Sequence, residues 1–384
     1  MFSILPNVAI RAVSVAVPEH EIRLEDELEY YDGSMKKAER ARAMIGIDRR
    51  RIAFPGQTAS DLCAAAAVKL FCEVPEAHKA DALVFVTQSP DFDFPATACI
   101  LQDKLGLSQD CASFDVNQGC AGYIYGLWIA SNMISSGSCK NVLLLAGDVP
   151  YRARDTNNRI ISPIFGDGGS ATLLSFDSNA ENLTFCLKTN GKEFADIIMV
   201  AGRSRVPFSP INEENNIFFK DIIDNNGSTW RLCETYMDGH AVFNFTMRVI
   251  PQHITDFLTR CGVAADDLDY AVLHQANAQI VNTIGRKAGL PKEKTPTAAF
   301  SKYGNLSSAS IPCALCDLFS STGSISNRRL LLCGFGVGLA WGSCLWKSEH
   351  CICLPICDVK KTKFSKEENV NFWKMYIEGN KNGQ

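Results

Sequence analysis

Residues 80–88 read ADALVFVTQ and residues 268–276 read LDYAVLHQA. Each is a short run of β-branched and large apolar side chains, the pattern of a strand buried on both faces. They stand about 188 residues apart, and the same shift, with no gap, lays NVLLLAG from Asn141 on RLLLCGF from Arg329 and Asn117 on Asn305. In each copy a strand leads to a helix-like segment, a loop carrying the asparagine, another helix and a second buried strand. Several anchors sharing one offset predict an internal duplication. Strands alternating with helical segments predict an α/β fold in which helices cover parallel sheet. The expected strands are Ala82–Thr87, Val142–Ala146, Tyr270–His274 and Leu330–Cys333. Helices are expected over Ala59–Cys72 and from near Cys120 to the Ser135-Ser136-Gly137 stop.

The rest of the chain fits a large globular protein. Its 384 residues are 46% hydrophobic and 21% charged, which excludes a disordered or fibrous chain. A formal charge of -4 lacks the basic excess that nucleic acid or an anionic membrane surface would require, so neither is expected as a partner. The uncharged run Leu330–Trp346 is near the minimum for a membrane span, but Gly334, Gly336, Gly338 and Gly342 favour two buried strands joined by a tight glycine loop. Sixteen cysteines would suggest disulfides in a short secreted chain. In a chain of this length, opening Met1-Phe2-Ser3-Ile4-Leu5-Pro6 without a basic segment or long apolar core, they predict a reducing cytoplasm and mostly free, buried thiols. The organisation expected is a half spanning 1–180, a second half spanning 181–347 and a polar tail over 348–384. A loop-rich stretch from Arg203 to Trp230 is expected either to cover a site or partner or to be a surface insertion.

Three residues acquire interest from position. Cys120, in FDVNQGCAGYIYG, falls where a strand gives way to a helix, and a thiol there feels the positive helix end, which favours its thiolate. His274 closes the strand YAVLH, and ligands in open α/β sheets gather beyond the carboxyl ends of strands. Asn305, in SKYGNLSSASIP, is the duplicate of Asn117 and again stands at a turn entering a helix. The duplication therefore aims Cys120 and Asn305 toward one crevice, with His274 delivered from a strand end. Taken singly, an inert core thiol, a hydrogen-bonded histidine and a turn asparagine would be the ordinary readings. FGDGG (165–169) lacks the spacing of a phosphate loop and reads as a tight turn. Cys313 and Cys316 have CxxC spacing but lie in an apolar segment without a partner pair, and no metal site is expected. Arg49, Arg50 and Arg51 would either bind phosphate or an acidic carrier, or be salt-bridged.

The segments IGIDRRRIA (45–53), FVTQSPDFDFPATACILQDKLGL (85–107), DVNQGCAGYIYGL (115–127), FGDGGSATLL (165–174), YMDGHAVFNF (236–245), LHQANAQIV (273–281), YGNLSSASIPCAL (303–315) and GFGVGLAWG (334–342) resemble the 3-oxoacyl-acyl-carrier-protein synthase III family of thiolase-like condensing enzymes. The resemblance runs from about residue 8 to residue 347 and implies a layered αβαβα sandwich built from two duplicated halves, as a homodimer. It also implies an acyltransferase in which Cys120 takes an acyl group from acyl-CoA or acyl carrier protein. Malonyl-acyl carrier protein then decarboxylates and attacks it, with His274 and Asn305 stabilising the enolate. No cofactor beyond these substrates is implied. By the same resemblance the backbone N–H groups of Cys120 and Gly338 bind the acyl oxygen, Gly336 and Gly338 share the glycine loop, and a side chain at 338 would crowd that approach. Arg159 stands near a phosphate-contacting arginine, and Phe94 reaches a partner subunit's acyl tunnel.

Asp48 follows Gly46-Ile47 where many CoA-using relatives carry arginine, and no tryptophan precedes Trp128, so a donor other than CoA is expected. Ala121 and Gln118-Gly119 flank the cysteine where serine and small residues are usual. These departures imply a specialised role in lipid, polyketide or surface-glycan acyl chemistry. Alternatives at this level are acyl transfer to an amine, alcohol or thiol without decarboxylation, and a non-catalytic subunit of a condensing complex. A papain-like hydrolase shares the order Cys, His, Asn but has no such duplication.

Overall fold

The computed structural model describes residues 1–150, 161–207, 215–224, 229–361 and 366–377. Its principal strands are β1 (Phe2–Leu5), β2 (Val8–Pro18), β3 (Ala82–Val86), β4 (Ala112–Val116), β5 (Asn141–Asp148), β6 (Gly168–Phe176), β7 (Leu183–Thr189), β8 (Tyr270–Leu273), β9 (Ser324–Gly336), β10 (Ala340–Cys353) and β11 (Cys357–Val359). The helices that matter to the site are α1 (Ala59–Glu73), α2 (Thr97–Lys104), α3 (Gly122–Ser135), α4 (Gly239–Cys261), α5 (Ala278–Lys287) and α6 (Ser310–Phe319).

The strands join in the order β1-β7-β10-β2-β6-β5-β3-β4, with β9 bridging β10 to β8 and β11 beside β2. The duplication is visible in the register. Ala82 pairs with Val142 in the parallel ladder of β3 and β5, and Tyr270 with Leu330 in that of β8 and β9, each partner displaced by the 188-residue offset read from the sequence.

Alternation of side chains along these strands builds the layers. Val84 and Leu144 of the first half, and Leu330 and Leu332 of the second, face one core shared with Tyr123, Ile124 and Leu127 of α3 and Ile311 and Leu315 of α6. Leu83, Phe85, Leu143 and Leu145 turn the other way, onto Leu62 and Ala66 of α1 and Leu101 of α2. Ala271, Leu273, Leu331 and Cys333 do the same toward Ile250, Ile254 and Phe257 of α4 and Ile284 of α5. Two helices thus lie between two strand layers, with helices outside both, which is the αβαβα sandwich. Because the central strands β3 and β5 bury both faces, each of their Leu and Val side chains contributes about 1.5–3 kcal/mol of transfer free energy.

The glycine-rich run Leu330–Trp346 is two antiparallel strands, Gly336 opposite Ala340, as its glycines predicted. No described helix is long and apolar enough to cross a membrane. The boundary expected at residue 347 does not hold: β10 runs on to Cys353, and Cys357–Val359 adds a parallel strand beside β2. The CICLPIC segment belongs to the sheet because Cys351 and Cys353 are buried in the shared core, while Pro355 makes the bend between the two strands. Beyond it the described part of the tail is a helix, Lys366–Ile377, whose Trp373 ring meets Phe92 edge-on at 5.7 Å. The cysteines are largely buried thiols, including Cys63, Cys313, Cys316 and Cys344.

Candidate active site

Cys120 follows β4 by a short loop and precedes α3, which begins at Gly122. The turn is tight: Gly122 N–H donates to the Gly119 carbonyl at 2.6 Å. The thiol is buried, 8% exposed, and its Sγ lies 3.9 Å from Ser307 Oγ. The glycine loop closes over it. Gly336 has φ +156°, and a Cβ there would lie 2.7 Å from Cys120 Cβ and 3.1 Å from Sγ, so only glycine leaves room for the nucleophile. Burial pushes the thiol up to about 12, and the nearby Asp148 carboxylate adds to the rise. Ser307 and the N–H groups of Cys120 and Val337 oppose it. This reverses the expectation that the helix start alone favours the thiolate, because desolvation outweighs those donors.

His274 leaves β8 with its N–H donating to the Cys333 carbonyl at 2.8 Å. The ring stands edge-on to Phe335, centroids 5.4 Å apart, and Nδ1 is 2.6 Å from Ser310 Oγ. Ser310 Oγ also accepts the Gln275 N–H at 3.4 Å, so its own proton is free to go to Nδ1. With the hydroxyl proton directed to Nδ1, Nε2 is the ring nitrogen that carries the proton and can donate. Burial lowers the imidazole pKa to about 3 and keeps the ring neutral at ordinary pH.

Asn305 is clamped at its backbone, N–H to the Ile164 carbonyl at 3.0 Å and carbonyl to the Gly166 N–H at 3.1 Å. Its Oδ1 accepts the Ser307 N–H at 2.9 Å, which assigns the amide NH2 the role of remaining donor. Residues 305–310 therefore tie the three candidates together. Asn305 itself begins the segment, Ser307 meets Cys120, and Ser310, the first residue of α6, holds His274. A buried sulfur nucleophile with two neutral N–H donors held by one segment is suited to acyl chemistry in which negative charge develops on oxygen.

The remaining candidates divide. A Cβ at Gly338, φ +136°, would meet Ala340 N at 3.0 Å, so substitution there crowds the loop itself, and Gly336 is the glycine pressed on Cys120. Phe94 is 86% exposed on the surface of the single chain, beside the cis bond to Pro95. Arg159 lies outside the described residues. Arg49, Arg50 and Arg51 are salt-bridged, to Glu21, to Glu27, and to Asp358 respectively. Asp167 of FGDGG accepts the Ala53 N–H at 2.7 Å, as a structural turn would. Among the described residues no group of three His, Cys, Asp or Glu side chains is set to hold a metal ion. Sequence reasoning missed Ser307, Ser310 and Asp148. The only available signal was the serine-rich stretch directly after Asn305.

A duplicated five-layer sandwich with Cys, His and Asn gathered where its halves meet defines the thiolase-like condensing class. The model of 3-oxoacyl-[acyl-carrier-protein] synthase III matches residues 114–191, and that of its C-terminal part matches residues 258–348. A relative from Campylobacter jejuni is 36% identical over 87% of this chain and 92% of its own. The β-ketoacyl-[acyl-carrier-protein] synthase III of Clostridium perfringens is 32% identical over 85% of this chain and 93% of its own. The crystal structure of a 3-oxoacyl-(acyl-carrier protein) synthase from Burkholderia xenovorans superposes with a TM-score of 0.83 at 32% identity, over 94% of this chain and 99% of that one. The chain belongs to the 3-oxoacyl-[acyl-carrier-protein] synthase III family of condensing acyltransferases.

Proposed function

We propose that the chain catalyses a two-stage decarboxylative condensation. Cys120 takes an acyl group from a thioester. Malonyl on acyl carrier protein then binds, loses CO2 and attacks the acyl-enzyme, releasing a 3-oxoacyl-acyl carrier protein. The observation that carries this reading is the segment Asn305–Ser310, which touches the nucleophile through Ser307 and holds His274 through Ser310. His274 Nε2–H and the Asn305 amide are then the donors to the enolate oxygen, and both are preorganised and neutral. The Cys120 N–H and the glycine loop around Gly336 and Gly338 serve the acyl oxygen.

A carrier-protein donor is favoured over CoA because Asp48 places a carboxylate, 3.3 Å from Arg42, where phosphates would need a cation. The enzyme works as a homodimer: among the described residues β4 pairs only with β3, which leaves its other edge for a second copy, and the exposed Phe94 can enter that copy. Its setting is the cytoplasm, consistent with the buried thiols, and its product serves specialised lipid, polyketide or surface-glycan acyl metabolism.

Intact-protein mass spectrometry tests this reading. Wild type and Cys120→Ala are incubated with acyl-CoA and acyl-carrier thioesters, then with malonyl-acyl carrier protein. The expected result is an acyl mass on wild type alone, preferentially from the carrier, discharged by malonyl carrier as a 3-oxoacyl product appears. Acylation that malonyl carrier never discharges would refute condensation.

A further inference from the structure

The segment SPDFDFPA (89–96), between β3 and α2, is tied down along most of its length. Ser89 N–H donates to Thr87 Oγ1 at 3.0 Å, and Ser89 Oγ accepts the Val149 N–H at 2.9 Å. Asp91 Oδ2 accepts the Ser60 hydroxyl at 2.7 Å, and Asp91 N–H donates to Thr97 Oγ1 at 3.0 Å. Asp93 pairs with Arg203, but both side chains are 63% exposed, and an ion pair so open to water holds weakly. Phe92 is held instead by a ring: Trp373 of the tail helix Lys366–Ile377 meets it edge-on at 5.7 Å. Trp373 is itself packed against Phe372 at 5.3 Å and Tyr376 at 5.7 Å, the latter one helical turn away. The synthase III models end at residue 348, so this aromatic clamp is added to the body they describe. Phe94 alone projects, 86% exposed. Asp115 of β4 accepts the Thr97 and Ala98 N–H groups at 2.8 Å each, which sets the start of α2, and Phe94 with it, beside the edge strand β4.

We propose that Trp373 is a positioning residue for Phe94: by fixing Phe92, it sets where Phe94 stands in the acyl pocket of a second copy, and so which acyl chains that copy accepts. A large apolar side chain exposed beside an unpaired strand edge is placed to be buried by another copy of the chain. Only Asp93 separates the clamped ring from the projecting one, and its ion pair is too exposed to stop movement of Phe92 from reaching Phe94. Phe92 is still 41% exposed with Trp373 in place, so loss of the indole leaves its ring with little to rest on. Discrimination between acyl chains that differ by a methylene or two depends on a pocket wall that does not yield. The tail of one subunit thereby tunes selectivity in the other, without touching Cys120, His274 or Asn305 in either.

This inference rests on the acyl-enzyme and homodimer reading above, and its test has one arm that needs no thioester. Hydrogen exchange of the peptide spanning residues 88–96 is compared in full-length wild type, Trp373→Ala and Trp373→Phe. Trp373→Ala is expected to exchange about three- to tenfold faster there, and Trp373→Phe, which keeps a ring on Phe92, to stay within about twofold of wild type. Unchanged exchange in Trp373→Ala would overturn the proposal. The second arm follows Cys120 acylation by intact mass with short and long acyl-carrier thioesters in mixed dimers. Trp373→Ala chains are mixed with an excess of Cys120→Ala chains, and wild-type chains with an excess of the Cys120→Ala, Trp373→Ala double variant. The ratio of long- to short-chain acylation is expected to change about threefold or more in the second mixture and to stay at the wild-type value in the first. A change that follows the chain carrying the cysteine would overturn the proposal, as would an unchanged ratio in both mixtures or a chain that sediments as a monomer. If wild-type Cys120 takes no acyl group from any donor, the acyl-enzyme reading fails, while faster exchange in Trp373→Ala would still establish the clamp.

Discussion

Ser310→Ala separates the two stages of the reaction. The hydroxyl it removes lies 2.6 Å from His274 Nδ1, to which its proton is directed in the arrangement above, and accepts the Gln275 N–H at 3.4 Å, with all three residues buried. Without it, nothing among these contacts assigns the imidazole proton to Nε2, and a buried acceptor loses its donor, a cost of about 1–3 kcal/mol. If that energy is what holds the productive tautomer, condensation slows by about 5- to 150-fold, since each 1.36 kcal/mol is about a factor of ten. Acylation of Cys120 uses neither His274 donor and should change by less than about twofold. The assay is single-turnover: load the acyl-enzyme, confirm its mass, add malonyl-acyl carrier protein, and follow CO2 release and discharge. Ser310→Thr, which keeps the hydroxyl, should restore much of the rate. Equal loss in both stages would mean that Ser310 only supports the fold, and undiminished condensation would refute the tautomer argument.

Gly336→Ala would place a methyl 3.1 Å from the Cys120 sulfur on a backbone that disfavours any side chain, so acylation should fall by about a hundredfold or more with the circular dichroism of the native fold retained. Normal acylation would show that the loop does not press on the nucleophile. For stability, His253 is buried against Ser343 with its pKa lowered to about 4, so the unfolded chain takes up the proton first. Its contribution is present above an unfolded pKa of about 6.5 and is lost as pH falls toward 4, costing about 2 kcal/mol by pH 5. Chemical denaturation of wild type and His253→Gln at pH 7.5 and pH 5 should show the variant losing about 2 kcal/mol less. Identical losses would mean that His253 is already charged in the native state.

Much of the fold could be read because burial on both faces leaves a mark in local composition. The runs at Ala82, Val142, Tyr270 and Leu330 became strands in the predicted places, and their shared offset reappeared as a shared ladder register. The end of the second half was hidden for the opposite reason. Residues 348–353 mix Ser, Glu and His with cysteines, and nothing local reveals that Cys351 and Cys353 enter a core built from both halves. Cys120, His274 and Asn305 were legible because each stands at a change of periodicity. Their supports were not, since Asp148, Ser307, Ser308 and Ser310 are small polar residues of the kind that cap helices and fill turns, and only tertiary packing buries them. The thiol illustrates the limit. The helix start that favours a thiolate is a local feature and was predicted, whereas the burial under Gly336 and the charge of Asp148 that oppose it come from residues 216 and 28 positions away. Reactivity at such a site is therefore set by tertiary burial against a few local donors, and the helix end alone does not decide it.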